Sequence, residues 1–360
     1  MLALQATTHI VMAVLLAGPA PAAPAKGAAA DLERGEKLFR AGDLAGALAA
    51  FDLAGKTDPR DPRAPYLRGV VLEKKNDLAG AEKAYREALG RDGKFAPAHG
   101  NLGAILLGRN DLPAAEKEIQ AALASDPKNG TAAFNLGLLR EAQNQPREAA
   151  AAYRRALQTR PNDGTCHANL CSVLRKQGDI DGAIAECRSA ARLLPENAVV
   201  LTNLGILLSD KQQYDEARAE LEKATKLDAK FAPAWTGLGR VELRRKQPAA
   251  AVDALARAAK LEPKDAGVAA DYCRALVEKD LRAKAALAGC RRAVALDGQN
   301  ALAHYELVKI LVANGDCAGA KAENGKLGAM PGVKPKAKAQ ADEILKTCVP
   351  GKPAQPAGKR

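Results

Sequence analysis

A spacing of 34 residues recurs along this chain and constrains its fold more than any other feature. Asn101-Leu102-Gly103, Asn135-Leu136-Gly137, Asn169-Leu170-Cys171 and Asn203-Leu204-Gly205 follow one another at that interval. Ala47, Ala81, Ala115, Ala149, Ala183, Ala217 and Ala251 keep the same step, and each is followed seven residues later by another alanine, from Ala54 to Ala258. A fixed period of this length marks an architecture in which every unit is one small supersecondary element.

The content of each period is helix, tight turn, helix, stop. Turn pairs such as Gly42-Asp43, Asn76-Asp77, Asn110-Asp111, Gly178-Asp179 and Gly315-Asp316 divide it, and Pro59, Pro127, Pro161, Pro195 and Pro263 end it. Gly or Ala must stand where two helices cross closely, while Phe51, Tyr85 or Tyr153 fills the space around the crossing. One such hairpin cannot bury its apolar face alone, so the units must stack.

The pattern resembles the tetratricopeptide repeat family: a small residue at the eighth position, alanines at the twentieth and twenty-seventh, an aromatic or apolar residue at the twenty-fourth and Pro at the thirty-second. The resemblance covers about residues 28–334 and implies an all-α, right-handed superhelical solenoid of about nine helix-turn-helix units. The units start at residues 28, 62, 96, 130, 164, 198, 232, 266 and 301. The eighth is one residue longer, with the extra residue expected in the turn around Lys279 to Ala283. In the ninth, Gly319, Gly325 and Gly328 weaken the second helix. Pro335 then opens a capping helix over 335–348 with Ala337, Ala341, Ile344 and Leu345 on one face, and 349–360 reads as a disordered tail.

Composition agrees with closely packed helices: 47% of residues are apolar but only 3% are aromatic. The charge of +12 comes from 54 Lys and Arg against 42 Asp and Glu spread along the whole chain, which permits acidic partners without naming one. Nucleic acid is disfavoured, because the five Phe, six Tyr and one Trp fall mostly at repeat-core positions and offer no stacking platform.

The first 25 residues carry no charged side chain, and an apolar run from Ile10 to Ala17 precedes the small-residue stretch Ala20 to Ala25. This reads as a signal peptide cleaved near Ala23 or Ala25, although its start lacks Lys or Arg, which leaves open a disordered leader or a misassigned start. The run is too short to span a membrane. A periplasmic or secreted location follows from the signal reading, a cytoplasmic one from the alternative.

Cys171 and Cys187 in the fifth unit and Cys273 and Cys290 in the eighth occupy matched places. In an antiparallel hairpin the eighth position lies opposite the twenty-fourth, so each pair is expected to form a disulfide. The alternative is that these are small buried residues in place of Gly and Tyr. Cys317 and Cys348 are placed to pin the weak terminus with a third bridge, and Cys166 is left over. Such usage suits an oxidising compartment. No CxxC occurs and the four His are scattered, so neither a metal nor any other cofactor is expected.

In relatives that grip extended peptides the first helices line the concave face, and an Asn at the sixth position reaches the ligand backbone. The resemblance carries that role to Asn101, Asn135, Asn169 and Asn203, whose carboxamides offer both donor and acceptor. The alternative is that these asparagines bond only locally. Arg175, Lys176, Arg240, Arg244 and Arg274 fall at ninth, twelfth or thirteenth positions, either as a basic stretch for carboxylates or phosphates or as a solvated face. The family's clamp for a terminal carboxylate needs Lys at the fifth position, where this chain has Tyr66, Gly100, Phe134, Ala168 and Thr202.

These features predict a non-catalytic scaffold that binds a protein or peptide in its groove, in an envelope, secretion or motility assembly. The alternatives are a binder of an anionic polymer such as polysaccharide or nucleic acid, and a cytosolic adaptor if the leader is not a signal. Catalysis has no motif behind it: no Gly-rich phosphate loop or nucleophile pattern appears, and His99, His167 and His304 sit at the third or fourth position, where packing accounts for them.

Overall fold

The computed structural model describes residues 27–351. The proposed signal segment and all but the first residues of the proposed tail lie outside them. Every element among the described residues is helical. Residues 27–193 form one compact unit, built from α1 (Ala28–Arg40), α2 (Leu44–Thr57), α3 (Arg63–Lys74), α4 (Leu78–Arg91), α5 (Ala96–Gly108), α6 (Leu112–Ser125), α7 (Gly130–Ala142), α8 (Pro146–Thr159), α9 (Gly164–Gln177) and α10 (Ile180–Leu193). A second unit begins at Leu194 and holds α11 (Ala198–Asp210), α12 (Tyr214–Leu227), α13 (Ala232–Arg244), α14 (Pro248–Leu261), α15 (Ala266–Lys279), α16 (Lys284–Leu296), α17 (Ala301–Ala313), α18 (Cys317–Ala329) and α19 (Pro335–Lys346). In each unit consecutive helices pack as hairpins, and first helices also touch the next first helix, as α5 does α7 and α13 does α15. Among the described residues the fold is all-α and built of repeated hairpins, nine in number and followed by α19, which packs on α17 and α18.

The turns inside the hairpins show why the sequence breaks where it does. Gly42, Asn76, Asn110, Asn144, Gly178, Gln212, Lys246 and Gly315 all take positive φ, a conformation Gly and Asn accept at least cost. The following Asp43, Asp77, Asp111, Asp179 and Asp316 cap the second helices, each accepting from a backbone N–H three residues on at 2.8 to 3.2 Å. The α15–α16 link differs: it spans Asp280 to Ala283, and there the Asp280 side chain accepts from the Arg282 N–H at 3.0 Å.

In the hairpins from α1–α2 to α13–α14 the eighth and twenty-fourth positions meet closely. Phe51, Tyr85 and Tyr153 lie on Gly35, Gly69 and Gly137, where a Cβ would collide with the ring. Leu221 and Leu255 cover Gly205 and Gly239 in the same way. In α9–α10 and α15–α16 the contact is covalent: Cys171 is joined to Cys187 with Cα atoms 5.3 Å apart, and Cys273 to Cys290 at 4.7 Å. A third disulfide, Cys317 to Cys348, ties the start of α18 to the segment just after α19.

Cys166 is free and buried, and burial pushes its thiol up to about 12. It is an inert packing residue rather than a reactive one.

The histidines do more than pack. Nδ1 of His99, His167 and His304 lies 2.6 Å from Glu118, Glu186 and Glu323, each on the partner helix of the same hairpin. Nε2 of each faces a carbonyl six residues back, that of Gly93, Pro161 and Gly298 respectively. Trp235 stands at the equivalent place in α13 and donates its indole N–H to the Ala229 carbonyl at 3.0 Å. These rings tie the incoming loop to the hairpin it precedes.

Candidate functional site

In the first unit the first helices present one recurring face. Val70 on α3, Ala104 on α5 and Leu138 on α7 occupy the ninth position, and all three are half-buried. Three residues before or after them on the same helices come Glu73, Asn101 and Glu141, which places these polar groups beside the apolar row.

Two of the four asparagines are held by tyrosines of the preceding hairpin. Asn101 donates through Nδ2 to the Tyr85 hydroxyl at 3.0 Å, and Asn169 hydrogen-bonds Tyr153. Tyr153 donates onward to Glu141 at 2.7 Å, and Tyr85 hydrogen-bonds Glu73. Asn135 has Ile119 rather than a tyrosine at the matching place, and its Nδ2 donates instead to the Gly100 carbonyl at 2.9 Å. It is fully buried, so its carboxamide joins α7 to α5 and does not face solvent. Asn203 is half-buried on α11 and belongs to the second unit. The four asparagines therefore do not form one uniform row of free carboxamides.

The five basic residues are likewise divided. Arg175 and Lys176 lie in the last turn of α9, and Arg244 in that of α13, where positive charge suits the helix terminus. Lys176 pairs with Glu141 at 3.1 Å, Arg240 with Asp271 at 2.6 Å and Arg274 with Glu278 at 2.8 Å. Arg175 and Arg244 are exposed. Since acids of this chain already hold three of the five, the set is a largely compensated surface.

Sequence reasoning missed the Glu-Tyr-Asn clusters. The available signal was the joint appearance of Glu at the twelfth position, Tyr at the twenty-fourth and Asn at the next sixth, which occurs at Glu73/Tyr85/Asn101 and again at Glu141/Tyr153/Asn169. It also missed an open cavity of about 310 Å³ in the second unit, lined by residues including Tyr272, Leu276, Gly289 and Arg292. Among the described residues no group of His, Cys, Asp or Glu is arranged to hold a metal ion, and no helix is long and apolar enough to cross a membrane.

Solved structures with the same fold include the PilF protein of Pseudomonas aeruginosa, 21% identical over 61% of this chain and 100% of that one, with a TM-score of 0.54. The hetero-tetramer Cut9-Hcn1 of APC/C gives 20% identity over 74% of this chain, a TM-score of 0.53 and coverage of 52% of the matched chain. PilW, described as a widely conserved type IV pilus biogenesis factor, gives 20% identity, 56% and 94% coverage and a TM-score of 0.50. No curated protein matches the chain. Tetratricopeptide repeat models match residues 32–97, 101–164 and 138–198, and a further one matches 174–241. With hairpins closed at the eighth and twenty-fourth positions and these models spanning more than half of its length, the chain belongs to the tetratricopeptide repeat family.

Proposed function

We propose that this protein is a non-catalytic scaffold that holds an extended segment of a protein partner along the first-helix face of residues 27–193, within an exported envelope, secretion or motility assembly. The observation that carries the reading is the half-buried row Val70, Ala104 and Leu138, flanked by Glu73, Asn101 and Glu141. An apolar strip with hydrogen-bonding groups beside it suits a peptide whose side chains alternate between pocket and solvent. The reading differs from a plain asparagine ladder in that Asn101 and Asn169 act with their tyrosines and Asn135 acts inside the stack.

Three disulfides fit an oxidising compartment and support export over a cytosolic adaptor. The anionic-polymer alternative loses support because Lys176, Arg240 and Arg274 are paired with acids of the chain itself.

The test is selection of peptides from a random library displayed on phage, followed by affinity measurements on variants. Leu138→Arg and Val70→Arg are expected to weaken the selected peptides by more than about tenfold, whereas Lys117→Ala, on the exposed side of α6, leaves them unchanged. Binding that depends steeply on salt and ignores Leu138→Arg would point to the polymer reading instead.

A further inference from the structure

The Glu-Tyr-Asn cluster occurs twice in the first unit, 68 residues apart, and the two copies differ at one place. In the copy on α7, α8 and α9, Glu141 accepts from Tyr153 at 2.7 Å and from the ammonium of Lys176 at 3.1 Å, while Asn169 holds the same tyrosine. In the copy on α3, α4 and α5, Glu73, Tyr85 and Asn101 repeat the arrangement, and even the surroundings match: Tyr85 lies on Gly69 and against the Tyr66 ring as Tyr153 lies on Gly137 and against Phe134. The residue standing where Lys176 stands is Gly108. A side chain begun at Gly108 would meet nothing within 4 Å.

We propose that Glu73, Tyr85, Asn101 and the open ground over Gly108 form a subsite for the ammonium group of a lysine side chain carried by the bound peptide. The inference rests on the peptide-face reading above and names the chemistry one position of that peptide supplies.

Three features of the site favour this occupant. The second copy shows which group satisfies this carboxylate-hydroxyl pair: a primary ammonium on a flexible stem, not the planar fork of a guanidinium. Glu73 forms no ion pair among the described residues, and its proton equilibrium reflects this: burial pushes the carboxyl up to about 7, with the Tyr85 hydrogen bond opposing. A cation from outside therefore restores the ionised form. Finally, Glu73 lies one helical turn from Val70, so a lysine stem laid on the apolar row delivers its charge to the carboxylate.

The test follows the Glu73 carboxyl carbon by NMR in the full chain with labelled glutamate, as a function of pH. The probes are the capped peptide Ala-Ala-Lys-Ala-Ala and the same peptide with norleucine in place of lysine, both at millimolar concentration. The expected result is that the lysine peptide moves the Glu73 midpoint from about 7 toward the ordinary carboxylate range and releases protons on binding at neutral pH, while the norleucine peptide does neither. Gly108→Lys is expected to lower the Glu73 midpoint with no peptide present and to weaken the lysine peptide by about tenfold. Lys176→Gly, at a solvent-exposed position, is expected to create a second lysine-dependent site at Glu141.

If both peptides perturb Val70 and Leu138 equally and Glu73 stays unmoved, the peptide face stands and the ammonium subsite is overturned. If neither peptide perturbs Val70 or Leu138, both fall together. A Gly108→Lys chain whose Glu73 midpoint does not move overturns the equivalence of the two copies directly.

Discussion

The α7–α8 and α9–α10 hairpins are neighbours in the first unit and close the same crossing by different chemistry. In α7–α8 the Tyr153 ring lies on Gly137; in α9–α10 Cys187 reaches Cys171 through a disulfide. The register is identical, since a ring on a glycine and a cystine each fill the gap left where two helices approach. What differs is dependence on the surroundings: the ring contact is indifferent to redox potential, and the disulfide is not. The ring also carries a hydroxyl that reaches Glu141 and Asn169, so a buried residue that closes the hairpin also holds half-buried polar groups of the first helices in place. The disulfide closes the hairpin and leaves no such group.

The comparison breaks most visibly under reduction. Removing the Cys273–Cys290 bridge as Cys273→Ser with Cys290→Ser is expected to cost about 3 kcal/mol for a loop of this size, the two cysteines being 17 residues apart. Hydrogen exchange should show α15 and α16 losing protection on reduction, as α9 and α10 do, while α3 and α4 remain unchanged. Equal loss in all hairpins would mean that the disulfides stabilise the array as a whole.

Gly69→Ala tests the other closure. The new Cβ would lie 2.5 Å from the Tyr85 ring, so overpacking is expected to cost about 1 to 3 kcal/mol, read as exchange in α3 and α4. Gly90→Ala, whose Cβ would meet nothing within 4 Å, serves as the neutral control.

A smaller difference lies in pH. Glu73 keeps its proton to about 7 when folded and releases it near 4.5 when unfolded. Between those values the folded chain binds more protons, so this group's contribution to stability is full below about 4.5 and is lost as pH rises through about 7. Glu73→Gln should flatten the dependence in α3 to α5, and an unchanged pH profile in that variant would place its origin elsewhere.

The smallest expected effect is at the turns. Lys246 holds φ of 59° at the turn position where six hairpins use Gly or Asn and one uses Gln212, so Lys246→Gly is expected to stabilise the α13–α14 hairpin by about 0.5 to 1 kcal/mol. Thermal unfolding with exchange in α13 and α14 checks the sign.

Much of this was legible because the period carries geometry. Gly and Asn at the turns, alanine at the crossings and proline at the ends fix where helices begin and stop, and a cystine was readable from two Cys standing where other repeats place Gly and a ring. The roles of the asparagines were not, because the partner of a sixth-position carboxamide is chosen by the twenty-fourth residue of the preceding repeat. Tyr85 and Tyr153 capture Asn101 and Asn169, whereas Ile119 leaves Asn135 to turn inward to Gly100. The His-Glu ties were hidden for a similar reason: the spacing of 19 residues in His99/Glu118, His167/Glu186 and His304/Glu323 has meaning only once the hairpin is folded.

The most direct test of the central claim is site-specific photo-crosslinking in the native host, with a benzophenone side chain placed at Leu138 on the first-helix face or at Lys117 on the exposed side of α6. The peptide-face account predicts an adduct to an extended segment of one partner from position 138 and none from 117. Adducts from 117 with none from 138 would contradict it and move the binding surface to the second helices.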